Sequence, residues 1–149
     1  MTEHPFHIIQ ARWPRDMDAL RLVRETVFIR EQRVPVELEW DGLDERCDHV
    51  LALDAQNHPV GTGRLTPAHS IGRMAVLPAW RGHGVGAAML RRLIERAGQH
   101  GWPQVTLHAQ VDAIGFYSRF GFVAFDDEFM EAGIRHRSMA LDLPASANA

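Results

Sequence analysis

The chain is poor in the features that staple, anchor or metallate a protein. Its single cysteine, Cys47, has no partner for an internal disulfide, which fits a reducing compartment. No activating arrangement surrounds it in the sequence, so it reads as an ordinary thiol rather than a nucleophile. No apolar run approaches membrane-spanning length. The opening Met-Thr-Glu-His-Pro-Phe-His has no basic region followed by an apolar stretch, so no signal peptide is expected. A cytoplasmic protein without membrane attachment is the resulting expectation. Gly-Lys-Ser/Thr is absent, which excludes the lysine-bearing nucleoside-triphosphate loop. Nine histidines occur, but no pair has the helical spacing and carboxylate of a zinc-protease site, and no metal is expected. His4 and His7, near the start, read as solvated. The net charge of -3 lacks the basic excess that phosphate backbones demand, so nucleic acid is not an expected partner. The chain holds one tyrosine, Tyr117.

What is present suits one globular domain. The 149 residues are 46% apolar and 23% charged, with no repeat and no dividing linker. A single domain over about 6–143 is expected, with 144–149 as a frayed tail. β-formers at 6–11 predict a first strand. Leu20, Val23, Val27 and Phe28 keep helical spacing and predict a helix over 16–32. Residues 33–48 lose periodicity around Pro35 and Gly42 and gather Glu37, Glu39, Asp41, Asp44, Glu45 and Asp48. This acidic loop reads either as a solvated face or as a surface for a cationic substrate. Strands at 49–54 and 60–65 flank a turn sequence and predict a hairpin. Strands at 71–77 and 104–109 enclose a helix at 84–98, a crossover that predicts parallel pairing. A helix over 112–120 and closing strands at 122–125 and 137–143 complete an α/β chain. Its sheet is mixed and mostly antiparallel, with one parallel pair able to splay and admit a thin ligand.

The chain is organised around Arg81-Gly82-His83-Gly84-Val85-Gly86, between the strand stopped by Pro78 and the helix that follows. Glycines at a helix entrance leave backbone N–H groups open to an anion, and the helix dipole and Arg81 favour negative charge there. Alone, this turn is a generic phosphate cradle. A dinucleotide fold fits poorly, because a hairpin series precedes the turn instead of strand-helix-strand units.

Arg81, Gly84 and Gly86 match the Arg-x-x-Gly-x-Gly turn of the GCN5-related N-acetyltransferase (GNAT) superfamily, and the resemblance runs through most of the chain. Met74-Ala75-Val76 before Pro78 resembles the family's central strand. Gln110-Val-Asp-Ala113-Ile-Gly-Phe116-Tyr117-Ser-Arg-Phe-Gly121-Phe122 is similar to its Asn-x-x-Ala-x-x-Phe-Tyr-x-x-x-Gly-Phe stretch, with Gln110 in place of asparagine. Val27-Phe28-Ile29-Arg30-Glu31-Gln32 and the segment from Glu128 to Met139 resemble the ElaA-like branch, with Arg135 where proline is expected. The resemblance implies a GNAT acyl-CoA N-acyltransferase fold and an N-acetyltransferase moving acetyl from acetyl-CoA to a primary amine of a small molecule or peptide by direct attack. It further implies cofactor contacts at Met74, Ala75, Val76, Arg81, Gly82, His83, Gly84, Val85, Gly86, Gln110, Ala113 and Phe116. His83 would contribute mainly its backbone N–H.

Within that reading, N–H groups near Ala75 and Val76 are candidates to stabilise the oxyanion. Tyr117, a phenol protonated at neutral pH, suits the acid that protonates the departing thiolate; its bland alternative is packing beside Phe116 and Phe120. Glu128, Glu131, His108 and His49 are possible bases, and Glu128, His108 and His49 are candidates for substrate binding. The alternatives are a non-catalytic acyl-CoA sensor and a transferase for a longer acyl donor. The acidic loop slightly favours a cationic acceptor. Oligomeric state, monomer or homodimer, is open.

Overall fold

The structure is a computed structural model and describes residues 5–144. The tail expected at 144–149 falls outside this range apart from Pro144, as does His4. Seven strands form one sheet in the order β1-β2-β3-β4-β5-β7-β6. They are β1 (Phe6–Ala11), β2 (Asp48–Asp54), β3 (Pro59–Thr66), β4 (Ser70–Val76), β5 (Gln104–Gln110), β6 (Val123–Glu131) and β7 (Ile134–Asp142). All neighbours pair antiparallel except β4 and β5. The mixed sheet with one parallel pair is therefore as the sequence predicts.

Helix α3 (Val85–Gln99) covers one face. Its buried Val85, Met89, Leu90, Leu93 and Ala97 meet Val50, Val60, Leu65 and Leu107 of the sheet. That spacing buries one helical stripe, the source of most of the helix's stability. Gly63 on β3 sits beneath it: a Cβ there would meet Met74 Sδ at 2.7 Å and Leu93 Cδ1 at 2.9 Å. Only glycine lets the helix lie this close to the strand.

The opposite face carries α1 (Met17–Arg24) and, continuing it, a π-helical segment Glu25–Glu31. The helix predicted for 16–32 is thus present, but its second half is wound more widely. Gln32 N–H donates to Val27 O at 2.9 Å and Val34 N–H to Phe28 O at 2.8 Å. β-branched Thr26, Val27 and Ile29 crowd an α-helical turn, and the wider winding relieves that crowding. A short α2 (Val36–Glu39) and a 3-10 turn (Asp44–Arg46) follow.

Two other expectations need correction. The helix predicted for 112–120 is a 3-10 turn (Val111–Ala113) leading into a five-residue α4 (Ile114–Ser118). The closing strands are longer than the sequence suggests, nine residues each. A register shift between Phe125 and Phe129, with Asp126 at φ 59°, lets β6 continue through the acidic run. Glu128 and Glu131 therefore lie within β6 rather than after it.

Candidate active site

Strands β4 and β5 pair only at Ser70↔Thr106 and Ile71↔Leu107, and then part. The cause is local. Between Thr62↔Ala75 and Arg64↔Gly72 the register with β3 slips by one residue, so Arg73 and Met74 oppose Gly63 alone. This is a β-bulge, which bends a strand away from its neighbour. Arg73 takes φ 51°, a costly conformation for a side chain with a Cβ. Its guanidinium is anchored by Leu38 O at 3.1 Å, Glu39 O at 3.2 Å and Asp41 Oδ2 at 3.2 Å.

A cavity of about 520 Å³ opens beside the parted strands. Phe28, Gln32 and Val34 wall it from the helical side, Met74 from β4, His108 and Gln110 from β5, and Glu131 and His136 from the β6–β7 hairpin. Ala113 and Tyr117 also line it. Tyr117 is nearly buried, and burial pushes its phenol up to about 12, so the proton is held firmly at neutral pH. Phe116 packs edge-on against Tyr117, with centroids 5.1 Å apart, and packs on Phe120 as well.

The glycine turn connects the end of β4 to α3. Gly84 is the N-cap at φ 85°, and no side chain caps the helix. The first-turn N–H groups of α3 are therefore not covered by a capping side chain. A Cβ on Gly86 would lie 3.6 Å from Phe116 Cζ and 3.9 Å from Val76 Cγ2, so turn, strand end and α4 converge. His83 stands edge-on to Trp80. Arg81 donates from Nε to Val76 O at 3.0 Å and grips Glu31 with both terminal nitrogens.

The other candidates fall into two groups. Gln110 exchanges amide hydrogen bonds with Gln32 at 2.9 and 3.4 Å across the cavity wall. His108 bonds Glu131 through Nδ1 at 3.1 Å. These residues share the cavity with Tyr117. His49 does not: it is buried on β2, with Nε2 2.8 Å from Asp44 O, and faces a separate cleft of about 280 Å³ beside α3. Burial pushes its imidazole down, outweighing the bond to Asp44. Glu128 is also outside the cavity, on an exposed stretch where Arg135 Nε meets it at 3.1 Å. The residue that replaces the expected proline thus takes up this carboxylate. The sequence reading did not single out His136 as a site residue, although it lies in the 128–139 segment that resembles the ElaA-like branch; it also lines the cavity.

The acidic loop is not a free anionic surface. Arg24 reaches Glu39 at 2.8 Å and Asp44 at 2.7 Å, while Arg64 bonds Asp44 and Asp41, each at 3.0 Å. Burial alone would raise Asp41, but bonds from Arg64 and the Leu43 amide, with the charges of Arg64 and Arg73, hold it down to about 2. Asp48 is taken up by Arg96 and His100. Glu39, Asp41, Asp44 and Asp48 are thus each paired with cations, Glu39 and Asp41 at the cavity wall, while Glu37 and Glu45 are exposed.

Residues 24–143 match the family model described as "Acetyltransferase (GNAT) domain". The N-acetyltransferase YjcF of Bacillus subtilis, itself uncharacterised, is 38% identical over 80% of this chain and 88% of its own. ElaA of Escherichia coli is 33% identical over 84% of this chain and 86% of its own. The crystal structure of E. coli ElaA superposes with a TM-score of 0.78 over 92% and 98% of the two chains, at 28% identity. An acyl-CoA N-acyltransferase from Pseudomonas aeruginosa gives the same TM-score and identity over 93% and 99%. A bulge-parted parallel pair, an uncapped glycine turn and these similarities over most of the length together establish that the chain belongs to the GNAT acetyltransferase family, with ElaA among its relatives.

Proposed function

We propose that the protein, acting as one GNAT domain, transfers an acetyl group from acetyl-CoA to a primary amine in a ternary complex. The observation that carries this reading is the gap beyond Ile71 and Leu107, which lies beside a cavity lined by Tyr117 on the strand that runs on toward the glycine turn. Residues Met74 to Val76 form the backbone rail for the pantetheine arm. The N–H groups of Gly84, Val85 and Gly86 with Arg81 hold the pyrophosphate. The thioester carbonyl then lies beside the Val76 amide, which points away from β3 and stabilises its developing negative charge, whereas the Ala75 amide faces β3.

Holding amine and thioester together supplies much of the rate, because a bimolecular encounter becomes a local one. The amine attacks the carbonyl carbon, the C–S bond breaks, and Tyr117 protonates the leaving thiolate. A phenol with its pKa near 12 is fully protonated at neutral pH and strong enough as an acid only toward a basic, desolvated thiolate.

The test is to incubate purified protein with acetyl-CoA and a panel of amines and peptides, following thiol release. Acceptor-dependent release is the expected result. Tight coenzyme A binding with no release across the panel would identify a binding module instead, and faster release from longer acyl-CoAs would replace acetyl as the donor group.

A further inference from the structure

We infer that Glu131 and His136 form the receptor for the acceptor's ammonium group, that His136 takes its proton, and that the preferred acceptor carries a single charge. The inference rests on the acyl-transfer reading for the fate of that proton.

The argument begins with tautomers. His136 Nδ1 lies 2.8 Å from Ile134 O, and a carbonyl can only accept, so Nδ1 carries the hydrogen. The neutral ring then has its lone pair on Nε2. That atom faces Glu131 Oε2 at 3.7 Å, too far for a hydrogen bond. The other carboxylate oxygen, Oε1, accepts from His108 Nδ1. A lone pair and a carboxylate oxygen thus converge at the cavity with no hydrogen between them. An ammonium, which carries only donors, satisfies both at once. Phe129 holds the arrangement, lying edge-on to His108 at 4.9 Å and stacked on His136 at 5.9 Å. His136 is nearly buried, which preserves its orientation.

Charge selects the remainder of the acceptor. Glu39, Asp41, Arg64 and Arg73 also line the cavity, but each is paired within the network that includes Arg24 and Asp44. Three arginines and three carboxylates cancel there. Among the described residues, Glu131 is the lining carboxylate that no arginine meets. A second ammonium on the acceptor finds no open anion. The Nε atoms of Arg64 and Arg73 lack hydrogen-bond partners, but both guanidiniums are already charge-paired with Glu39, Asp41 or Asp44, so an acceptor carboxylate is desolvated with little compensation.

The proton inventory closes. R–NH₃⁺ gives one proton to His136 Nε2, and the resulting imidazolium is stabilised by Glu131. The amine's lone pair forms the C–N bond, and the C–S electrons leave on sulfur. Tyr117 protonates the sulfur and recovers a proton from the new amide nitrogen. His136 then releases its proton to water, giving amide, coenzyme A thiol and one H⁺.

Three probes of similar length decide the matter: pentylamine, the diamine putrescine and the amino acid γ-aminobutyrate. Their binding is measured by titration calorimetry with coenzyme A present, and their turnover by thiol release. Pentylamine is expected to bind about tenfold more tightly than either other probe, and Glu131→Gln to weaken it about tenfold or more. His136→Asn keeps a donor for Ile134 O but removes Nε2; turnover should fall about a hundredfold while coenzyme A affinity stays within about twofold. Equal binding of the three probes, or unchanged pentylamine binding in Glu131→Gln, overturns the ammonium site. Unchanged turnover in His136→Asn overturns the base. If His136→Asn loses coenzyme A binding through misfolding, the half-exposed Glu131→Gln still decides the site. Glu131-dependent pentylamine binding without any thiol release would overturn the transferase reading and leave the ammonium site standing.

Discussion

Arg81 and Glu31 meet through two parallel hydrogen bonds of 2.8 and 2.6 Å, fifty positions apart in sequence. The carboxylate occupies the same guanidinium face that the proposed pyrophosphate would need. Glu31 also ends the π-helical segment whose Phe28 lines the acceptor cavity. On the proposed reading, donor binding and the shape of the acceptor wall would be joined through this one side chain.

Removing the competitor should strengthen donor binding. The pair is nearly half exposed, so it is worth at most about 1 kcal/mol after solvent screening. Glu31→Gln is expected to bind acetyl-CoA about two- to fivefold more tightly, with thermal stability little changed. Calorimetric titration checks it. Weaker binding would mean that Glu31 holds Arg81 in place for the ligand rather than blocking it.

Charge and bulk can be separated at Gly84. A Cβ there would meet nothing within 4 Å, so the cost of a side chain is mainly its φ of 85°. That costs about 1–2 kcal/mol, a few degrees in melting temperature. Gly84→Glu should abolish coenzyme A binding, whereas Gly84→Gln, of equal size, should retain at least about tenfold more affinity. Equal affinities for the two variants would remove the turn as the anion site.

Tyr117 can be followed without interference. Tyr117→Phe should lower turnover much more than acetyl-CoA affinity; unchanged turnover, where chemistry is rate-limiting, removes it from the mechanism. All sixteen basic side chains are arginine, and there is one tyrosine. The phenol rises from about 10 when unfolded to about 12 when folded, so its stabilisation is complete below pH 10 and is lost as pH climbs toward 12. Roughly 2–3 kcal/mol is at stake. Urea unfolding should show wild type losing that difference relative to Tyr117→Phe across the window, in a Cys47→Ala background to silence the thiol.

Breaking the arginine–carboxylate network should be severe. Asp44 accepts from both Arg24 and Arg64, and Arg24 is almost fully buried. Asp44→Asn leaves excess positive charge inside, with an expected loss of about 3–5 kcal/mol by urea unfolding. In wild type the carboxylates of Asp41 and Asp44 both sit below their ordinary values; the stability Asp41 confers is present above about pH 4 and lost as pH falls toward 2, and that of Asp44 is likewise lost on acidification. A loss below about 1 kcal/mol would show that water fills the network.

Local chemistry in the sequence disclosed the sheet, the α3 crossover and the glycine turn, because periodicity, Pro78 and the glycines act over a few residues. The bulge at Arg73 was illegible: nothing near Gly72 reports the one-residue slip against β3. β6 was underestimated because Asp126, Asp127 and Glu128 resemble a loop, although on an edge strand they face solvent at little cost. The pairing of the acidic loop was hidden for a different reason. Its partners Arg24, Arg64 and Arg73 come from a helix and two strands, and only the fold shows that they converge. His136 gave one ring among nine, and its importance lies in which nitrogen is already occupied.

The two rungs between β4 and β5 divide the sheet into unequal leaves, β1 to β4 and β5 to β7, hinged at Ser70 and Ile71. Beyond the hinge, the β4 edge facing β5 is a ladder with one rail. A bound pantetheine chain would act as the missing rail, so the donor becomes part of the sheet's own hydrogen bonding and couples the leaves mechanically. Amides on that stretch of β4 should exchange with solvent faster than those of β3 in the free protein and slow when coenzyme A is bound.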